Sequence, residues 1–191
     1  MRFVVIGLPP PALCDEIEVL RRPLNRLVGA VQALRYPPHL TLRTGLVCPD
    51  DRADEVSRGF LAHAATLFQA PVATRGLFYT TYGVPEDKRG MVGWSVLPSF
   101  ELLALHQGLL EYSAWQKGPQ NGFQPHLTLA FDDLSPAGVE TLRAELARRS
   151  EPVPDFRWTL DRVSLYHELP GGWVEWNTAA LKSSSPPSNW A

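Results

Sequence analysis

Cysteine is scarce in this chain. Cys14 and Cys48 are the only two, too few for a disulfide framework and without the CxxC spacing of a thiolate metal site. That usage predicts a reducing, cytoplasmic setting. Long apolar runs are also missing: nothing approaches the roughly 20 residues of a membrane span. The opening apolar run, residues 3–8, is broken by the three prolines Pro9, Pro10 and Pro11 before it reaches the length of a secretory core segment. Charge of one sign is not in excess either. Eighteen Lys and Arg stand against 20 Asp and Glu, for a net charge of −2 and a pI near 6.2. Such a balance excludes coating duplex nucleic acid by bulk charge. It leaves room for one phosphate or one RNA end, which needs only local positive groups.

What the chain does have is material for a core. At 191 residues and 45% hydrophobic content it fits one domain, or one domain of two similar lobes. The expected order is a buried strand over 3–8, helical pattern over 11–33 interrupted at Pro23, and an extended entry into a strand at Pro37-Pro38. A helix over 51–68 follows, capped by Asp50 or Asp51, with Val56, Phe60, Ala64 and Leu67 on its inner face. Strands over 71–81 and 91–97 form a hairpin around a polar loop. Ser99 caps a helix to about Trp115, residues 117–122 form a loop, and Ser135-Pro136 opens a helix to about Arg149. One strand over 156–167, a Gly-Gly turn and a partner strand over 173–181 close the domain. The expected fold class is α+β, with two pseudo-symmetric lobes whose antiparallel sheets face a central groove, helices outside. The domain spans 1–181, and the polar tail 182–191 is expected to be disordered.

One stretch occurs twice. Pro38-His39-Leu40-Thr41-Leu42 returns as Pro125-His126-Leu127-Thr128-Leu129, too far along for one local unit. Side chains alternate along a strand, so His39 and Thr41 share one face while Leu40 and Leu42 take the other. His126 and Thr128 repeat the arrangement. Neighbouring strands would place two imidazoles and two hydroxyls around one small hole. An imidazole titrates near pH 6.5, so one of a pair can take a proton while the other gives one. Threonine hydroxyls can donate to phosphoryl oxygens where negative charge accumulates. A zinc site lacks its third and fourth ligands, because no Cys, Asp or Glu accompanies either motif.

This pair of H-x-T-x motifs, each on a strand in one half of a two-lobed α+β chain, resembles the 2H phosphoesterase superfamily. Within it the chain is most similar to the bacterial and archaeal 2′-5′ RNA ligase, or RNA 2′,3′-cyclic phosphodiesterase, branch. The likeness runs from the first strand, ending in Leu8-Pro9, to the last strands around Val163 and Leu165 with their Gly-Gly turn. It implies a metal-independent and cofactor-free hydrolase, with His39, His126, Thr41 and Thr128 as catalytic residues. It also implies RNA ends or nucleotides carrying a 2′,3′-cyclic phosphate as substrates, opened to a 2′-phosphate, and reverse 2′-5′ ligation at the same site. Cleavage of 2′-5′ oligonucleotides or of a small cyclic nucleotide is the neighbouring expectation. A non-catalytic RNA-end binder is the expectation from a different class.

Two further residues are candidates for binding substrate. Arg43 continues the alternation of His39 and Thr41, so it should reach the groove and grip phosphate with its guanidinium. Tyr166 falls opposite the apolar Val163 and Leu165, so it should face the groove and stack a base. His167 falls on the core side, and His63 and His106 lie in helical patterns; all three read as structural. Arg21, Arg22, Arg26 and Arg35 read as a solvated helix face or a track for an RNA backbone. The chain is expected to act as a monomer without a membrane.

Overall fold

A computed structural model of the chain describes residues 1–112, 122–170 and 172–183. Its strands are β1 (Arg2–Gly7), β2 (Leu40–Val47), β3 (Ala70–Tyr82), β4 (Arg89–Val96), β5 (His126–Phe131), β6 (Arg157–Leu160), β7 (Arg162–Leu169) and β8 (Gly172–Ala180). Its helices are α1 (Pro11–Val28), α2 (Ala53–Ala64), α3 (Phe100–Glu111) and α4 (Pro136–Ala147). The strands form one sheet in the order β6-β3-β4-β5-β2-β1-β7-β8, and each paired neighbour is antiparallel. At the middle, β2 and β5 share the single register pair Leu40↔Leu127. Two antiparallel lobes of four strands therefore meet along a thin seam, and both His motifs lie on it. This is the expected α+β, two-lobed architecture.

Helices cover one face. Leu40, Leu42, Leu127 and Leu129 are buried there in a common core with Ile17, Leu20 and Leu24 of α1 and Val56 and Phe60 of α2. Leu102, Leu105 and Leu109 of α3 and Val139, Leu142 and Leu146 of α4 complete it. Each set recurs at three- or four-residue steps, the spacing of one helix face. Ser99 and Ser135 are N-caps as the sequence predicts, their hydroxyls accepting from the Leu102 and Gly138 amides at 3.1 Å in both cases. Each cap contributes about 1 kcal/mol.

Local rules are overridden at several places. Pro23 does not end α1 but sits inside it. Pro23 is exposed and so is Val19, so the Val19 carbonyl that loses its amide partner lies on the wet side, where water can satisfy it. Asp50 caps no helix: it pairs with the N-terminal ammonium, and a 3₁₀ turn at Asp50–Arg52 leads into α2. The expected strand over 156–167 is two strands. It breaks at Asp161, and its halves go to opposite lobes, β6 to β3 and β7 to β1. The helix expected to reach Trp115 is observed to Glu111; Trp115 and most of the 117–122 loop lie outside the described residues. At the other end, Lys182 still pairs through its backbone with Leu67 and Gln69, and the tail expectation for 184–191 lies outside the described residues. No described helix is long and apolar enough to cross a membrane.

Candidate active site

Both histidines are aimed by the same local device. His39 Nδ1 lies 2.8 Å from the Pro37 carbonyl, and His126 Nδ1 lies 2.9 Å from the Gln124 carbonyl. In each case the acceptor belongs to the residue two before the histidine, and that residue precedes a proline. A pre-proline residue is held extended, which fixes where its carbonyl points. A carbonyl can only accept, so each Nδ1 carries a proton, and each Nε2 of a neutral ring offers a lone pair. The X-Pro-His sequence thus sets the tautomer as well as the direction of both rings.

Register brings the rings together. With Leu40 opposite Leu127, one antiparallel step outward sets His39 against Thr128 and Thr41 against His126. All four line a cavity of about 220 Å³ on the face away from the helices. Arg2, Val4, Thr44, Gly45 and Met91 complete its sides with an aromatic group, Tyr36, Phe131 and Trp173. Tyr36 packs 5.4 Å from His39, and Phe78 meets His126 edge-on at 5.7 Å.

The electrostatics set His39 apart. Burial pushes its pKa down to about 4, and the positive charge of Arg21 acts in the same direction, against the Pro37 hydrogen bond. His39 is therefore neutral near pH 7. Tyr36 is pushed up to about 12, first by burial, and stays a neutral phenol. Arg21 itself is buried, ion-paired with Glu18, and donates to the Tyr36 carbonyl at 2.6 Å. One turn on, Asn25 Nδ2 donates to the Leu129 carbonyl of β5 at 2.8 Å. Helix α1 thus ties the loop before His39 to the strand that carries His126. Arg21 serves this tie and not a solvated face.

Arg43 is not in the groove. It is 6% exposed and donates to the Leu109 carbonyl of α3 at 2.7 Å. The cause is a β-bulge: Ile6 pairs with Thr41 but Val5 with Arg43, so β2 carries an extra residue and its alternation flips. Leu42 and Arg43 both turn inward, and Thr44 takes the groove position. The other His strand does the same. Gly93 pairs with Thr128 but Val92 with Ala130, Leu129 and Ala130 are both buried, and Phe131 comes to the groove. The pseudo-twofold relation extends to the bulge.

Tyr166 lies on the groove-side face of β7, clustered with Val4 and Ile6 beneath Leu8 and Trp173. It is 7% exposed and its hydroxyl donates to Glu175 at 3.2 Å, so the ring open to the cavity is Trp173 and not Tyr166. The remaining histidines pack. His63 Nε2 lies 2.8 Å from the Gly108 carbonyl and His106 Nδ1 2.8 Å from the Leu42 carbonyl, and His167 stands edge-on to Trp176 at 4.7 Å. Sequence reasoning missed Tyr36, Phe131 and Trp173. The signal for Tyr36 was its place beside the Pro-Pro-His entry; for Phe131 it was the consecutive apolar pair Leu129-Ala130 that betrays a bulge.

Comparison with known proteins agrees with this fold. A Bacillus pumilus (strain SAFR-032) protein, whose name assigns it provisionally to the phosphoesterases, is 26% identical over 186 residues, covering 95% of this chain and 98% of its own. TT0787 of Thermus thermophilus superposes with a TM-score of 0.62 at 17% identity, covering 97% of this chain and 100% of that one. LigT of E. coli, solved in complex with 3′-AMP, superposes with a TM-score of 0.56 at 16% identity over 94% of this chain and 97% of its own. These structures share the fold. The model of the 2′-5′ RNA ligase superfamily matches residues 9–172, a span that holds both His-x-Thr motifs, both bulges and the α1 tie, and the chain belongs to that superfamily of 2H phosphoesterases.

Proposed function

We propose that the chain is a metal-independent hydrolase that opens RNA 2′,3′-cyclic phosphate ends to 2′-phosphates by paired acid–base catalysis. The observation that carries this reading is the pair of imidazoles facing one small cavity, each with Nδ1 tied to a carbonyl and Nε2 left for chemistry. His39, neutral near pH 7, takes the proton of the attacking water through Nε2. The water oxygen bonds to phosphorus, the bond to the 3′-oxygen breaks, and His126 gives that oxygen its proton. Thr41 and Thr128 donate to the non-bridging oxygens as charge builds on them. The arriving phosphate raises the basicity of His39 by opposing the charge of Arg21. With a 5′-hydroxyl in place of water, the same proton transfers join two ends through a 2′-5′ linkage. The superfamily's name and the 3′-AMP complex of LigT support a nucleotide substrate. Among the described residues no three His, Cys, Asp or Glu side chains converge as a metal site.

Turnover of a 2′,3′-cyclic mononucleotide in EDTA tests the reading. His39→Ala and His126→Ala should each lose at least about 10²-fold in turnover, and the double variant far less than the product of the two losses. Loss of activity on chelation, or full turnover after His126→Ala, would overturn it. A parent protein that binds RNA ends without turning any over would be a binder instead.

A further inference from the structure

A second cavity, of about 560 Å³, adjoins the first. Tyr36, Phe131 and Trp173 line both, so an aromatic wall stands between two neighbouring chambers. The polar lining of the second is Gln32, Arg35, Asp132 and Glu168. Its two carboxylates are already engaged, Asp132 by Arg89 and by the Tyr82 hydroxyl, and Glu168 by Arg2 at 2.8 Å. Arg35 is different. It ends the 3₁₀ turn Gln32–Arg35, it is exposed, and its guanidinium has no hydrogen-bond or ion-pair partner among the described residues. Its stem runs past the β7–β8 turn, with Cβ 3.7 Å from where a side chain on Gly172 would begin. With both acids paired, the remaining charge of this cavity is the Arg35 guanidinium, unpartnered among the described residues and of the chemistry that binds anions.

We propose that this chamber is a subsite for the 5′-phosphate of the nucleotide whose cyclic phosphate lies between the histidines, with Arg35 as the ligand for that phosphate. The inference rests on the function proposed above and narrows its substrate class. The ribose at a cyclic RNA end carries the reacting phosphate on one side and the 5′-phosphate, which continues into the chain, on the other. Tyr36 and Trp173, 6.0 Å apart, stand between the two anion positions, where a flat base or sugar can pack on them. The preferred substrate is then an RNA or 5′-phosphorylated end and not a nucleoside cyclic phosphate.

Adenosine 2′,3′-cyclic phosphate with and without a 5′-phosphate, given to the parent and to Arg35→Gln, provides the test. In the parent, the 5′-phosphate should raise kcat/KM by about 10-fold or more, the range of a charge-assisted contact, and the gain should shrink in high salt. Arg35→Gln should erase that gain and leave the unphosphorylated substrate within about 2-fold. Equal kcat/KM for the two substrates in the parent, or a gain that survives Arg35→Gln, would overturn the subsite. Turnover of neither substrate counts against the proposed function instead. Calorimetric binding of both ligands in the His126→Ala background then reads the subsite without catalysis, and equal affinities there would overturn it too.

Discussion

Acidification should cost this protein stability through one imidazole in particular. The fold holds His39 neutral by half-burying it near Arg21 and lowers its pKa to about 4, whereas an unfolded histidine titrates near 6.5. The unfolded chain therefore binds the His39 proton more readily. The stabilisation is complete above about pH 7 and drains away as pH falls through 6.5 toward 4. Between pH 7.5 and 4.5 the linkage relation gives a loss of about 2 to 3 kcal/mol from this group alone, a large share of an ordinary domain's stability. Carboxylates add their own pH dependence, so the comparison must be internal. His39→Asn keeps an N–H that can reach the Pro37 carbonyl but cannot titrate. Urea denaturation of both proteins at the two pH values isolates the term, with the parent losing about 2 to 3 kcal/mol more than the variant. Equal losses, within about 0.5 kcal/mol, would refute the account of His39 as a half-buried imidazole held neutral.

Arg43→Leu should leave the groove intact, because the guanidinium points to α3; stability should fall by about 1 to 3 kcal/mol as the Leu109 carbonyl loses its donor, read as a shift in the urea midpoint with activity per folded molecule unchanged. Gly93→Ala should impair turnover more than stability. The added methyl would stand 2.6 Å from the Leu127 carbonyl and 3.1 Å from the Phe78 ring that backs His126, and a loss of under about 2-fold in kcat would refute the view that Gly93 is there to admit the His126 strand.

The alternation of His-x-Thr was legible because it depends on nothing beyond its own few residues. The same holds for the helix faces and for the Ser99 and Ser135 caps. Arg43 was placed wrongly because a bulge is a property of two strands: which residue is extra depends on how Ile6 and Val5 meet β2, and that partnership is not written near Arg43. Tyr166 was put on the correct face, but its exposure depends on Trp173 and Leu8 lying over it, a matter of packing from elsewhere in the chain. Apolar residues alternate through Phe156, Trp158 and Leu160 and again at Val163 and Leu165, so 156–167 reads as one strand and conceals a change of lobe at Asp161. Pro23 shows the converse, a strong local signal that an exposed helix side can absorb. The aromatic wall was invisible in sequence because Tyr36 comes from the connection before β2, Phe131 from the end of β5 and Trp173 from the start of β8.

The chain's order through the sheet has a consequence for how the molecule is made. The lobe that carries His39 consists of β1 and β2 from the start of the chain and β7 and β8 from its end. A growing chain can complete β3, β4 and β5 and present His126 while β1 still has one edge open, waiting for β7. Only when the last strands emerge does Val4 find Tyr166 and Trp173 reach the wall beside His39. Pairings so distant in sequence are slow to form, and an unpaired strand edge is a hazard during that wait. The cavity that both imidazoles line is complete only after β7 and β8 have emerged, so shorter chains carry both motifs without carrying that cavity.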